Sequence, residues 1–290
     1  MIVPNLVQSL FFVIYLKPLK MIRKLLSVFT IATFALACSK NPLTKKSQLT
    51  LLPESEIQSM ATQEYQQFLS TNKVIAASGN RDAEMVKRVG QRITGAVEKY
   101  YAANGISDKL AGYKWEYNLV DSKDVNAWCM PGGKIVVYTG LLPITQNEAA
   151  LAAVMGHEVS HALLQHGNQR MSQGLLQQLG GVALSVAVAN KPAETQNLFM
   201  GAYGVGSQVG VLLPFSRANE LEADRWGLIF AAEGGYNPEE AINLWKRMES
   251  ASNGQKPPEF LSTHPSEGKR IDQLQKLMPE ALKHYKPVSK

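Results

Sequence analysis

The stretch His157-Glu158-Val159-Ser160-His161 constrains this chain more than any other. It lies in a run of good helix formers between Thr145 and His166. Thr145 with Glu148 three residues on predicts a capping-box start, and Gly167 predicts the stop. Residues four apart on a helix share a face, so both imidazoles can reach one metal ion. Glu158, next to the first, can hold a water molecule and take its proton. On a helix, H-E-x-x-H spacing is a strong signal of zinc-assisted hydrolysis.

Composition is that of a folded protein built around such a helix. Of 290 residues, 45% are hydrophobic and 19% charged, an ordinary globular balance. The formal charge is +6, but Lys17, Lys20, Arg23 and Lys24 precede residue 38 with no acid among them. The remainder carries 26 bases against 24 acids, which leaves a nucleic-acid partner without support. The early bases belong to a targeting pattern: Met21-Ile-Arg-Lys, an apolar run from Leu25 to Ala35, then Leu36-Ala37-Cys38. It resembles a bacterial lipoprotein signal, with Cys38 as the lipidated residue and Met21 as a natural start. A membrane span is not expected, because that run is shorter than the roughly 20 residues a span needs. Residues 1–37 therefore read as a signal. Residues 38–52, polar with Pro42 and three lysines, read as a lipid-anchored tether, and 53–290 as a single domain. With Cys38 lipidated, Cys129 is the one remaining cysteine, so the fold must rest on its core or on a metal.

Helical stripes are legible at Ile57, Met60, Tyr65 and Phe68, and again at Val86, Val89, Ile93, Val97 and Tyr100. From Tyr113 the period becomes two, with Trp115, Tyr117 and Leu119 alternating with Lys114, Glu116 and Asn118. Two more β-prone runs, 126–130 and 134–139, flank the turn Pro131-Gly132-Gly133. Together they predict a small antiparallel sheet just before the metal helix. The apolar runs 180–189 and 201–213 read as buried helices or groove walls. Further helices are expected from Ser216, from Pro238 and through Leu277.

A catalytic zinc usually has three protein ligands and a water. His166 lies five residues beyond His161, about 140° round a continuous helix, and so reads as a structural or surface residue. Glu220 and Asp224 are four apart and share a helix face, while Glu222 points the other way. Glu220 reads as the third ligand and Asp224 as the group behind a histidine N–H.

These motifs occur in a fixed order: Asn126-Ala-Trp-Cys-Met-Pro-Gly-Gly133, the H-E-x-x-H helix, Ser216-Arg217, Glu220-x-Glu222-Ala-Asp224 and Ser262-Thr-His-Pro265. The set resembles metallopeptidase family 48, and within it the compact periplasmic lipoprotein proteases of the LoiP and BepA kind, without a tetratricopeptide array. The resemblance implies an α+β, mainly α-helical zincin-like fold with a small antiparallel β-sheet beside the metal helix. It implies one Zn²⁺ per chain and peptide hydrolysis with Glu158 as general base. It implies that Lys134, Val136 and Tyr138, with Asn126 and Ala127, form the edge against which an extended substrate pairs. His264 is implied as a fourth zinc ligand that holds the enzyme idle, with a helix-start residue near the groove as the equal alternative, and Arg217 and His264 are the candidate transition-state stabilisers. The implied substrates are unfolded or misassembled envelope proteins, met on the periplasmic side of the outer membrane beside its assembly machinery. The competing reading is a zinc-stabilised assembly factor with an idle protease site. Glu158 favours the enzyme, because a purely structural site has no use for a base there.

Overall fold

The computed structural model describes residues 38–179, 195, 198, 216–252, 259–264 and 270–287. The signal segment, the apolar runs 180–189 and 201–213, and Pro265 lie outside these residues. The segment read as a tether is folded in the described structure: β1 (Cys38–Lys40) pairs antiparallel with β2 (Ser47–Leu49). The hairpin and the chain after it are held by single buried residues, Asn41, Leu43 and Leu52, and by backbone groups. Leu51 N donates to Ser172 Oγ at 2.9 Å, and Leu52 O accepts from Asn168 Nδ2 at 2.9 Å. Such anchors leave no apolar periodicity, so a polar composition reads as a free tether.

Helix α1 (Glu54–Thr71) buries Ile57, Ala61 and Tyr65. After β3 (Val74–Ile75), α2 (Arg81–Ala103) starts at the N-cap Asn80, whose side chain accepts from the Asp82 and Ala83 amides. Of its predicted stripe, Val86, Val89, Ile93 and Val97 are fully buried and Tyr100 is half-buried.

Strands β4 (Glu116–Val120), β5 (Ala127–Met130) and β6 (Lys134–Tyr138) complete a four-stranded sheet of order β3-β4-β6-β5. The sheet is mixed, which corrects the antiparallel expectation. β6 is parallel to β4, with Val136 opposite Asn118, and antiparallel to β5, with Val136 opposite Trp128. After β4 the chain crosses to the far edge to form β5, then turns back into the position between them. Gly132 and Gly133, at φ 78° and 84°, make that return in a backbone region that suits glycine. Alternation along the strands sorts the core into two layers. Ile135, Val137 and Cys129 face the side of α2, whereas Val136, Tyr138, Trp128 and Met130 face α1.

The helical half follows: α3 (Leu142–Thr145), α4 (Glu148–Leu163), α5 (His166–Leu179), α6 (Arg217–Glu233), α7 (Glu240–Ser252), α8 (Glu259–Thr263) and α9 (Arg270–His284). The architecture is α+β and mainly helical. Helix α4 is buried on nearly every side, from Ala150 to Leu163. It meets α6 at Gly156 and Gly227, backbone against backbone: a Cβ on Gly227 would stand 2.7 Å from His157 N. That close approach sets the ligand-bearing faces of the two helices against each other. Among the described residues, no helix is long and apolar enough to cross a membrane.

Candidate metal centre

The ends of α4 differ from the sequence expectation in a way that shapes the site. Asn147, not Thr145, is the N-cap, and its Oδ1 accepts from Ala150 N at 2.8 Å. Glu148 instead pairs with Arg88 and accepts from Tyr236 Oη at 3.2 Å. The helix stops at Leu163, ahead of Gly167, because Gln165 takes a left-handed φ of 56° and α5 begins at His166. The chain therefore folds back, and His166 Nδ1 comes within 3.0 Å of His161 Nδ1. His166 is fully buried. Its placement 140° round one helix does not hold, because the helix has already ended.

His157, His161, Glu220 and His264 converge, all buried, with one donor atom of each within 4.8 Å of the others. His157 Nε2 is 3.0 Å from His161 Nε2 and 3.2 Å from His264 Nδ1. Glu220 Oε1 lies 3.4 Å from His161 Nε2 and 3.0 Å from His264 Nδ1, and its Oε2 lies 3.5 Å from His157 Nε2. Donors about 2.0–2.1 Å from a tetrahedral zinc stand about 3.3–3.4 Å from one another. The cluster has that size and that chemistry. Three imidazoles and a carboxylate gathered out of water are costly without a cation to bind, so the residues fit zinc.

A second layer of contacts aims these groups. Asp224 Oδ1 is 3.0 Å from His157 Nδ1, as the shared face with Glu220 predicts. Arg270 donates to Glu220 Oε2 at 2.5 Å and to Asp224 Oδ1 at 2.6 Å while lying 4.1 Å above the Trp245 ring. Sequence reasoning passed over Arg270, which sits in a polar Glu-Gly-Lys-Arg run. The signal was charge: Glu158, Glu220 and Asp224 in one buried site call for a fixed cation besides the metal. Burial alone would lower the His157 pKa, but hydrogen bonds to Asp224 and Glu220 raise it to about 9. Burial likewise opposes the Glu220 carboxylate, yet His264, His157 and His161 hold it well below the usual range. For His161, burial prevails and pushes the pKa well down.

Glu158 is buried, its Oε1 3.3 Å from His264 Nε2. Burial pushes its carboxyl pKa up, opposed by the positive charges of His264, His157 and Arg170. It lines a cavity of about 20 Å³, enough for one water, together with Asn126, Ala127, Cys129, Arg170 and His264. Asn126 and Ala127 are thus at the site, whereas Lys134, Val136 and Tyr138 lie on β6, which is flanked on both sides and is no edge. Among the described residues the terminal strands are β3 and β5, and β5 is the one that lines the cavity. Lys134 is buried, its Nζ donating to Lys114 O at 2.9 Å and to Glu116 Oε1 at 2.5 Å. Arg217, the first residue of α6, is exposed and does not line the cavity. Glu222 faces away from the metal cluster, toward His166. The side chain of Cys38 lies outside the description.

A family model for peptidase family M48 matches residues 86–278. The chain belongs to peptidase family M48. The family is one of zinc metallopeptidases, which agrees with the four-donor cluster. Bovine mitochondrial metalloendopeptidase OMA1 is 32% identical over 250 residues, 84% of this chain and 46% of that protein. The Arabidopsis thaliana mitochondrial metalloendopeptidase OMA1 is 36% identical over 188 residues, 64% of this chain and 36% of the relative. The β-barrel assembly-enhancing protease of Escherichia coli K12 is 30% identical over 165 residues, 54% of this chain and 33% of its own length. This M48 chain spans less than half the length of each.

Proposed function

We propose that this M48 chain is a zinc metalloendopeptidase of the bacterial envelope that hydrolyses unfolded or misassembled proteins. In this reading it is lipid-anchored through Cys38 on the periplasmic side, at the outer membrane. The observation that carries the proposal is the water-sized cavity lined by Glu158, by two donors of the cluster, His161 and His264, and by Ala127, Trp128 and Cys129 of β5. Zinc held by His157, His161 and Glu220 would polarise the scissile carbonyl and acidify the attacking water. Glu158, buried beside the cluster, would take that water's proton and pass it to the departing amine nitrogen. As a terminal strand of the sheet among the described residues, β5 has one side with no strand partner, where an extended chain would pair through backbone N–H and C=O groups. Such pairing is independent of side chains and suits unfolded substrates.

His264 supports a resting state and keeps a second reading in play. With its Nδ1 in the cluster, His264 would be a fourth protein donor to a bound zinc and would leave no position for water. Either His264 withdraws to admit water and substrate, or the chain is an assembly factor with a latent protease site. The name of the E. coli relative joins β-barrel assembly to protease, and so accommodates both.

The test compares wild type, Glu158→Gln and His264→Ala on fluorescein-labelled casein, with zinc content measured for each. Glu158→Gln should keep zinc and lose about 10²–10⁴-fold in rate, the usual contribution of a positioned base. His264→Ala should keep zinc through the remaining three ligands and cleave faster. Equal cleavage by wild type and Glu158→Gln would sink the enzyme reading. Zinc-loaded wild type and His264→Ala that are both inert would favour the assembly factor.

A further inference from the structure

His166 has no part in the chemistry above, yet it is completely buried at the start of α5. Its ring stands edge-on to that of His161, with centroids 4.9 Å apart and the two Nδ1 atoms 3.0 Å apart. On its other side, His166 Nε2 faces Glu222 Oε2 at 3.6 Å, an electrostatic contact just beyond hydrogen-bond distance. Glu222 in turn accepts from Lys46 Nζ at 2.5 Å, in the connection between β1 and β2. A chain of polar groups therefore runs from His161 to the surface, crossing α4, α5, α6 and the N-terminal hairpin.

We infer that His166 is a positioning residue for His161, held in its working tautomer by Glu222. The argument is one of proton inventory. A neutral imidazole that offers Nε2 to a metal carries its proton on Nδ1, and in a buried site that N–H needs an acceptor. His166 Nδ1 is the atom placed to accept. Accepting there leaves the His166 proton on Nε2, the nitrogen that faces the Glu222 carboxylate. Each N–H thus points outward from the cluster, and the negative charge at the end is balanced by the Lys46 ammonium. His157 has the simpler form of the same device, with Asp224 directly behind it. The hairpin also holds the turn that presents His166: Asn41 Nδ2 donates to Leu163 O at 3.2 Å, and Gln48 Nε2 donates to Gln165 Oε1 at 2.7 Å.

The inference rests on His161 being a ligand, so His161→Ala is the reference in the experiment. Zinc affinity of the full chain is read by competition with a chromophoric chelator, alongside the thermal melt of each zinc-free variant. His166→Leu fills the space without an acceptor and should bind zinc about 10–100-fold more weakly, the usual cost of losing the group behind a ligand. His166→Asn puts an oxygen near the position of Nδ1 and should recover most of that loss. Glu222→Gln should weaken zinc by a smaller factor, about threefold or more, and add little in a His166→Leu background. Wild-type affinity in His166→Leu, an asparagine variant as weak as the leucine one, or additive losses would each overturn the inference. Should His166→Leu fail to fold, Glu222→Gln decides alone, and unchanged affinity there overturns it. If His161→Ala itself binds as tightly as wild type, the ligand assignment falls instead, and the two failures are distinct.

Discussion

Replacing Gly227 by alanine probes the contact that sets α4 and α6 at their working distance. A Cβ at Gly227 would lie 2.7 Å from His157 N and 2.9 Å from its Cα, where ordinary contacts begin at 3.4 Å. Backbone cannot swing aside as a side chain can, so the helices must part by about 0.7 Å at the crossing. A metal site tolerates about 0.2 Å in its ligand distances. Glu220 rides on α6 two turns from the crossing, and His157 lies on α4 at the crossing itself, so the displacement falls on the cluster. Zinc affinity should drop on the order of 10–100-fold, the range for a ligand that has lost its support. Overpacking costs about 1–3 kcal/mol, and alanine returns up to about 1 kcal/mol of helix propensity. The net loss is about 1–2 kcal/mol, or about 2–8 °C in Tm for a domain of this size. Gly95→Ala in α2 is the control: its Cβ would meet nothing within 4 Å, so it should stabilise by about 0.5–1 kcal/mol. Chelator competition and thermal unfolding read both variants. A Gly227→Ala protein with wild-type Tm and wild-type zinc affinity would refute the claim that this crossing sets the site.

Two further outcomes follow from buried charge. Burial, partly offset by a hydrogen bond from Gln58, raises the Glu54 carboxyl from 4.5 to about 7. The folded state then binds the extra proton between those values, so stability falls as pH rises through 7, by up to about 3 kcal/mol. Glu54→Gln cannot ionise: it should match wild type near pH 4.5 and exceed it by about 2–3 kcal/mol at pH 8, and denaturant melts showing a pH-independent difference would contradict this. Arg270→Met strands Glu220 and Asp224 in the interior and should cost about 3–5 kcal/mol in urea unfolding of the zinc-free protein. A loss below about 1 kcal/mol would mean that the two carboxylates are compensated in another way.

What local periodicity controls was legible in the chain. The four-residue spacing of His157 and His161, and of Glu220 and Asp224, places each pair on one face whatever surrounds it. The stripe of α2 and the alternation through Leu119 likewise identify a helix and a strand before any packing is known. The mainly helical α+β class itself was implied by the resemblance to family 48.

Other features arise between elements, and no spacing encodes them. The order β4-β6-β5 depends on where β6 inserts, so the same alternating run serves equally as an edge or as a centre strand. His166 reaches His161 because one left-handed residue, Gln165, ends the helix, and an angle computed on a continuous helix misses that. Arg270 lies 50 residues from Glu220 in the chain and meets it at 2.5 Å only once α9 packs on α6. The sequence by itself paired His157 with His161 and Glu220 with Asp224, because helix geometry is local, whereas His264 entered only through the resemblance. Tertiary structure decided which groups hold those ligands in place, because desolvated charge is satisfied by whatever the folded chain brings near.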